Sequence, residues 1–282
     1  MNINRFFNPN LKEIVSPLFG TNHLIALILS ISIFASLFIF KRFYARLSRF
    51  NAFRYTLGSI QILIYILYYT VLQIYSMISW KDYMPFHLSS VLDLTSAFLL
   101  FFASEKLFSW TFPLIGPVIL SFLLPDVSKR VYGPDNFYYY QYYLNHLIIF
   151  FGYFYLYLYG HIEYNKKLLF QGVSTFTLFA LFVFIFNLTF GTNFLFLGNL
   201  GFSAGFGSFI FNTGLWPTIL RFLFMWIIGL IFVFSFHFSI IRFLPPFYFA
   251  AGTIINQYYQ NKITLLKKLK LKKQDKIDLV DK

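Results

Sequence analysis

The sequence predicts an all-α protein, a polytopic bundle of about seven membrane helices with its N-terminus outside and its C-terminus in the cytoplasm. Three observations lead there. Of 282 residues, 58% are hydrophobic and 12% charged, about half the charge share of an ordinary soluble domain, and the mean hydropathy is +0.65. The apolar residues gather into seven runs of membrane-crossing length. The basic residues fall overwhelmingly on alternate connections between those runs.

The runs are 22–40, 56–80, 84–103, 107–124, 138–160, 169–190 and 215–244, each near the roughly 20 residues a spanning helix needs. The first is followed by no small-residue cleavage site, so it reads as a retained helix. The fourth holds Pro113, Gly116 and Pro117 and reads as a kinked span whose freed backbone groups neighbouring helices satisfy. With seven spans, one side carries 17 of the Lys and Arg residues and the other five, Arg221 lying within the last span. That asymmetry sets the orientation. It divides the chain into an extracytoplasmic segment (1–21), a transmembrane domain (22–245) and a cytoplasmic basic tail (246–282), a multi-pass protein of the cell membrane.

The net charge of +13 is concentrated in that tail, where Lys267, Lys268, Lys270, Lys272 and Lys273 alternate with leucines. Such a segment suits anionic lipid headgroups, each Lys contributing about 1 kcal/mol near the surface. A solvated tail that only enforces topology is the plainer reading. No fold signature accompanies the charge, so no nucleic acid is expected. The chain has no cysteine, which excludes disulfides and thiolate chemistry. No spacing suggests a metal, and no cofactor is expected. The 42 Phe partly reflect what an AT-rich coding sequence specifies, and the tyrosines of 138–143 read as an interfacial aromatic belt.

Polar groups converge on the outward half. His23 opens the first run; His87, Ser89 and Ser90 open the third; Gln141, Asn145 and His146 lie early in the fifth. Gly191, Thr192 and Asn193 end the sixth, and Trp216 and Pro217 open the last, with Arg221 one turn deeper. Ionisable groups inside a membrane are costly unless they face a partner or a cavity, so this placement predicts an outward-opening pocket. His161 and His237 fall on the other side without such company. A helix beginning near Pro85 sets His87 three residues from Ser90, and Ser89 four from Asp93 on another face. A serine nucleophile needs a base to take its proton. Ser90 with His87, or Ser89 with His146, both meet that need on spacing. The bland alternatives are a serine bonded back to its own helix, a packing histidine, and an arginine snorkelling to headgroups.

The stretches MPFHLSSVLDL, YYYQYYLNHLIIFFGYFYLYL, FNLTFGTNFLFL and NTGLWPTILRFLFMW occur in the order seen in the YwaF-like family of bacterial integral membrane proteins. That family looks related to the transmembrane protein 164 acyltransferases of animals. The resemblance covers about residues 55–245. It implies a helical membrane protein acting on phospholipid acyl chains, with a cysteine two residues after the first-motif histidine as nucleophile and a later histidine as its partner. The histidines match His87 and His146, and the nucleophile position is Ser89. Serine forms almost no anion at neutral pH and depends more on its base.

The expectation is a phospholipid acyltransferase, transacylase or lipase with Ser89, His146 and His87 as catalytic residues. Ser90, Asn145, Thr192, Asn193, Trp216 and Arg221 bind the lipid substrate. The alternatives are a small transporter or solute-binding component without catalysis, and a structural partner-binding bundle.

Overall fold

The computed structural model describes residues 6–8, 17–75, 84–124, 133–162, 169–197 and 218–247. Among them all regular structure is helical. The helices are α1 (Thr21–Ile39), α2 (Lys41–Leu47), α3 (Asn51–Ile74), α4 (Leu88–Phe102), α5 (Glu105–Thr111), α6 (Ile115–Leu123), α7 (Phe137–Leu158), α8 (Leu169–Phe190) and α9 (Thr218–Phe243). All seven apolar runs therefore form helices. Among the described residues, five elements are long and apolar enough to cross a membrane by themselves: α1, α3, the α5–α6 pair, α8 and α9. At 15 residues α4 spans about 22 Å, short of the roughly 30 Å hydrocarbon layer. Helix α7 is long enough, but its eight tyrosines, Gln141, Asn145 and His146 dilute its hydropathy.

The position of α7 explains that composition. All but four of its 22 residues are buried, and α1, α3, α4 and α6 pack around it. A helix enclosed by protein needs hydroxyls that find partners more than it needs uniform apolarity. Several of its tyrosines supply them to surrounding elements. Tyr159, just after α7, donates to the Leu37 carbonyl, Tyr142 to Ser121 and Tyr157 to Leu244 (2.9 Å). Those three carbonyls lie in the last turn of α1, the last turn of α6 and just beyond α9, where helical carbonyls lack an intrahelical donor. Tyr139 reaches the Asn22 carbonyl (2.6 Å). Tyr138, Tyr139 and Tyr143 are buried, so much of the 138–143 run faces the bundle instead of forming an interfacial belt.

The kinked fourth run is a true break. Ser104 caps α5 by accepting from Leu107 N (3.3 Å), and Phe112–Leu114 form a 3-10 turn with Pro113 inside it before α6 begins. The break is packed tightly from both sides. A Cβ on Gly172 of α8 would lie 2.6 Å from Pro113, and one on Gly116 would meet the Phe232 backbone of α9. Small residues here let helices approach closely, as membrane bundles require. Asn136 caps α7 by accepting from Tyr138 N (3.1 Å) and donates to the Asn8 carbonyl (3.1 Å), bringing residues 6–8 to the end of the bundle where α1, α4 and α7 start.

Because the backbone of α9 cannot yield to a new side chain, Gly116→Val should destabilise by about 1–3 kcal/mol through overpacking. Phe98→Leu, at a half-exposed position of α4, should leave the thermal midpoint in detergent unchanged. Equal midpoints for both variants would contradict the packing described.

Candidate functional site

One set of interior polar groups gathers around Asp93, on α4 one turn from Ser89. Asp93 is only 4% exposed. Its Oδ1 accepts from Gln61 Nε2 of α3 (2.7 Å), and its Oδ2 from Asn145 Nδ2 of α7 (2.9 Å). Gln61 Nε2 also donates to Ser96 Oγ, which donates in turn to the Asp93 carbonyl (3.0 Å). Tyr65 and Tyr69 of α3, their rings 4.7 Å apart, lie within electrostatic range of the carboxyl. One helical face thus carries Ser89, Asp93 and Ser96, as their spacing requires. Two acceptors beside the carboxyl, Gln61 Oε1 and Asn145 Oδ1, are buried without a donor.

His146 lies on an adjacent face of α7 and points elsewhere. It is buried, and its ring stacks on Phe122 of α6 with centroids 5.7 Å apart. Its Nδ1 lies 2.8 Å from the Tyr142 carbonyl, an acceptor, so Nδ1 carries the proton. In the neutral ring Nε2 is then a bare lone pair, and this atom is buried without a partner. His23, in α1, is fully buried with Nδ1 2.8 Å from the Tyr143 hydroxyl. That contact ties α1 to α7.

The first turn of α4 forms the outer part of the site. The helix starts at Leu88, so His87 is its extended N-cap residue (φ −74°, ψ 139°), not an interior residue of a helix starting near Pro85. His87 is exposed and packs against the Phe194 ring at 5.1 Å. Ser89 and Ser90 are half-buried. The contacts seen for the two histidines among the described residues, the Phe194 ring for His87 and the Tyr142 carbonyl for His146, are not with either serine. Parallel helices with Asp93 opposite Asn145 and Leu100 opposite Gly152 put Ser89 level with Gln141. That is about 7.5 Å along the axis from His146 at 1.5 Å per residue.

The loop after α8 completes this end. Gly191 leaves the helix at φ +67°, in a conformation that suits glycine. Asn187 then organises the turn: its Oδ1 accepts from Thr192 Oγ1 (2.7 Å) and Phe194 N (3.0 Å), and its Nδ2 donates to the Phe194 carbonyl (2.8 Å). Thr192 is thereby committed to the loop, which seats Phe194 against Phe86 and His87. Asn193 is half-buried beside it. Arg221 lies in the first turn of α9, half-buried, and Trp216 lies outside the described residues.

The family model described as TMEM164 family matches residues 18–241. The chain belongs to this family. The match runs from the approach to α1 to the end of α9, so the TMEM164 region includes the first helix as well as the motif-bearing helices. No curated protein and no solved structure matches the chain. Membership makes it a membrane protein, in agreement with its apolar helices.

Spacing along α4 puts Asp93 on the face of Ser89, but gives no sign of Gln61 or Ser96 as its companions. The available signal was rarity, because Asp93 is the one acidic residue within the seven apolar runs, and an intramembrane acid must find partners. Asn145→Ala removes one of the two amide donors and should destabilise by about 1–3 kcal/mol. Adding Asp93→Leu should recover part of that loss, since the under-bonded carboxyl is then gone. A further drop in the thermal midpoint of the double variant would count against the network as described.

Proposed function

We propose that this TMEM164 family member is a membrane-embedded phospholipid acyltransferase or transacylase, with hydrolysis as its simpler variant. The observation that supports it most is the state of His146: Nδ1 is fixed on a backbone carbonyl, while Nε2 is a buried lone pair with nothing to accept. An imidazole so oriented is the form a general base takes. Ser89 is the nucleophile, at the position where the family resemblance implies cysteine.

In the reaction Ser89 Oγ attacks the ester carbonyl of a phospholipid as Nε2 of His146 takes the hydroxyl proton. The tetrahedral intermediate collapses with cleavage of the ester C–O bond, and His146 returns the proton to the departing lysophospholipid oxygen. The acyl group, now on Ser89, passes to an acceptor hydroxyl or to water by the same steps in reverse order. Proton transfer requires that the axial offset between Ser89 and His146 be closed when the ester enters. His87, Asn193 and Ser90 lie at the entrance, where the lipid carbonyl and headgroup arrive, and Arg221 pairs the phosphate. Thr192 and Asn145 support the site by holding the loop and Asp93. This entrance faces the outer leaflet of the cell membrane, and the basic tail rests on anionic headgroups of the opposite leaflet.

In vesicles of defined phospholipid with added lysophospholipid, wild-type protein should exchange acyl chains, followed by mass spectrometry. Ser89→Ala and His146→Ala should each reduce the rate at least ~100-fold, within the range general-base catalysis supplies, with Ser89→Ala leaving expression and the thermal midpoint unchanged. Full activity in Ser89→Ala would overturn the assignment.

The Asp93 cluster favours a second reading, a solute-binding membrane component without catalysis. A buried carboxyl with no cation beside it among the described residues, and two unsatisfied amide oxygens, suits a cationic solute. Stoichiometric binding of such a solute without chemical change, lost in Asp93→Asn, would select that reading.

A further inference from the structure

At the other end of the bundle, where α4 and α7 finish, a second set of buried polar groups stands apart from the His146 centre. Arg54, in the first turn of α3, is only 8% exposed. Its Nε donates to Asn51 Oδ1 (3.0 Å), its Nη2 to the Tyr55 hydroxyl (3.5 Å), and the guanidinium lies 4.9 Å from the centre of the Tyr55 ring. All these partners are neutral. Nη1 is buried with no hydrogen bond at all. A buried guanidinium without an anion carries a desolvation cost that neutral partners offset only in part.

Two more buried atoms without a hydrogen bond lie close by, the Tyr155 hydroxyl and His161 Nε2. The Tyr155 and His161 rings are 5.2 Å apart, and both side chains are within electrostatic range of Arg54. The chain folds back to put His161 there. Gly160 takes φ +71°, and the amides of His161 and Ile162 both donate to the Leu156 carbonyl (3.0 and 3.2 Å). Burial, and after it the charge of Arg54, hold the His161 imidazole down at about 4. At neutral pH the cluster therefore has one positive charge and, from three elements of the fold, three polar atoms lacking a partner.

We propose that Arg54, Tyr155 and His161 form a binding site for a phosphate-type anion. The chemistry fits point by point. A guanidinium and a tyrosine hydroxyl present donors to separate oxygens of a tetrahedral anion. The imidazole can do the same as the tautomer that bears hydrogen on Nε2, or after gaining a proton once the anion offsets Arg54. Lys41, Arg42, Arg46 and Arg49 precede the site along the chain, a concentration of positive charge that raises the local concentration of anions. The anion is either the phosphate of a lipid headgroup or free phosphate. The exposed Phe40 and Phe43 beside these basic residues mark a surface where lipid is at hand. The site stands whether or not Ser89 and His146 perform acyl transfer.

The test uses the full chain purified in a sugar-headgroup detergent, so that no phosphate is present at the outset. Thermal unfolding is followed with inorganic phosphate, with a short-chain phosphatidic acid, and with chloride at matched ionic strength. Either phosphate compound should raise the wild-type midpoint where chloride does not. A shift from phosphatidic acid at concentrations at least tenfold lower identifies the headgroup as the ligand; equal potency identifies free phosphate. Arg54→Gln should abolish the shift, and Tyr155→Phe, which deletes only a hydroxyl, should raise the half-saturating concentration several-fold. Tyr155→Phe keeps the test decisive should Arg54→Gln not fold. No shift in wild type, or the same shift in wild type and Tyr155→Phe, would overturn the proposal.

Discussion

A carboxyl group buried in an apolar layer must be surrounded by donors, and the arrangement of this bundle follows from how Asp93 meets that demand. No arginine or lysine approaches it among the described residues; two carboxamides do, one from the helix before it and one from the central helix. Amides are neutral and directional, so they fix the register of α3, α4 and α7 more strictly than a flexible ion pair does. In lipid, where apolar contact alone does not discriminate between packings, such directional bonds carry much of the specificity. Ser89, one turn outward on the same stripe, and His146, next in sequence to Asn145, take their depth from this junction.

The second organising feature is the wrapping of α7. Its tyrosines act as cross-braces that satisfy carbonyls at the ends of surrounding helices, while Tyr153 bonds both Thr111 of α5 and Thr95 of α4 (2.7 and 3.0 Å). The bundle is thus fastened at its ends and through its middle by hydroxyls from one helix. Aromatic abundance that reads as coding bias turns out, at these positions, to be structural.

The helices were legible in the sequence because apolar runs and their breaks are local properties. The interruption at Pro113, the turn at Gly191 and the seven helical runs all follow from residues near at hand. The site was legible only in part. Spacing along one helix predicts which side chains share a face, and it correctly separates Ser89 and Asp93 from their neighbours. It does not predict what lies opposite. The Gln61 partner of Asp93 is 32 residues away and the Asn145 partner 52; neither belongs to a local pattern. Arg54 and His161 illustrate the same limit. They are 107 residues apart in the chain, yet the charge of Arg54 acts on the His161 imidazole.

The central helix also has a consequence for how the protein enters the membrane. Transfer of a segment from a translocation channel into lipid is governed by its own hydropathy, and α7 falls below what the five clearly apolar elements reach. Emerging alone, it would find lipid a poor solvent for its tyrosine, asparagine and histidine side chains. Four of the helices that enclose it, α1, α3, α4 and α6, precede it in the chain. The order of synthesis therefore presents α7 with a protein groove already lined with carbonyls, and membrane integration becomes a packing event as much as a partitioning one.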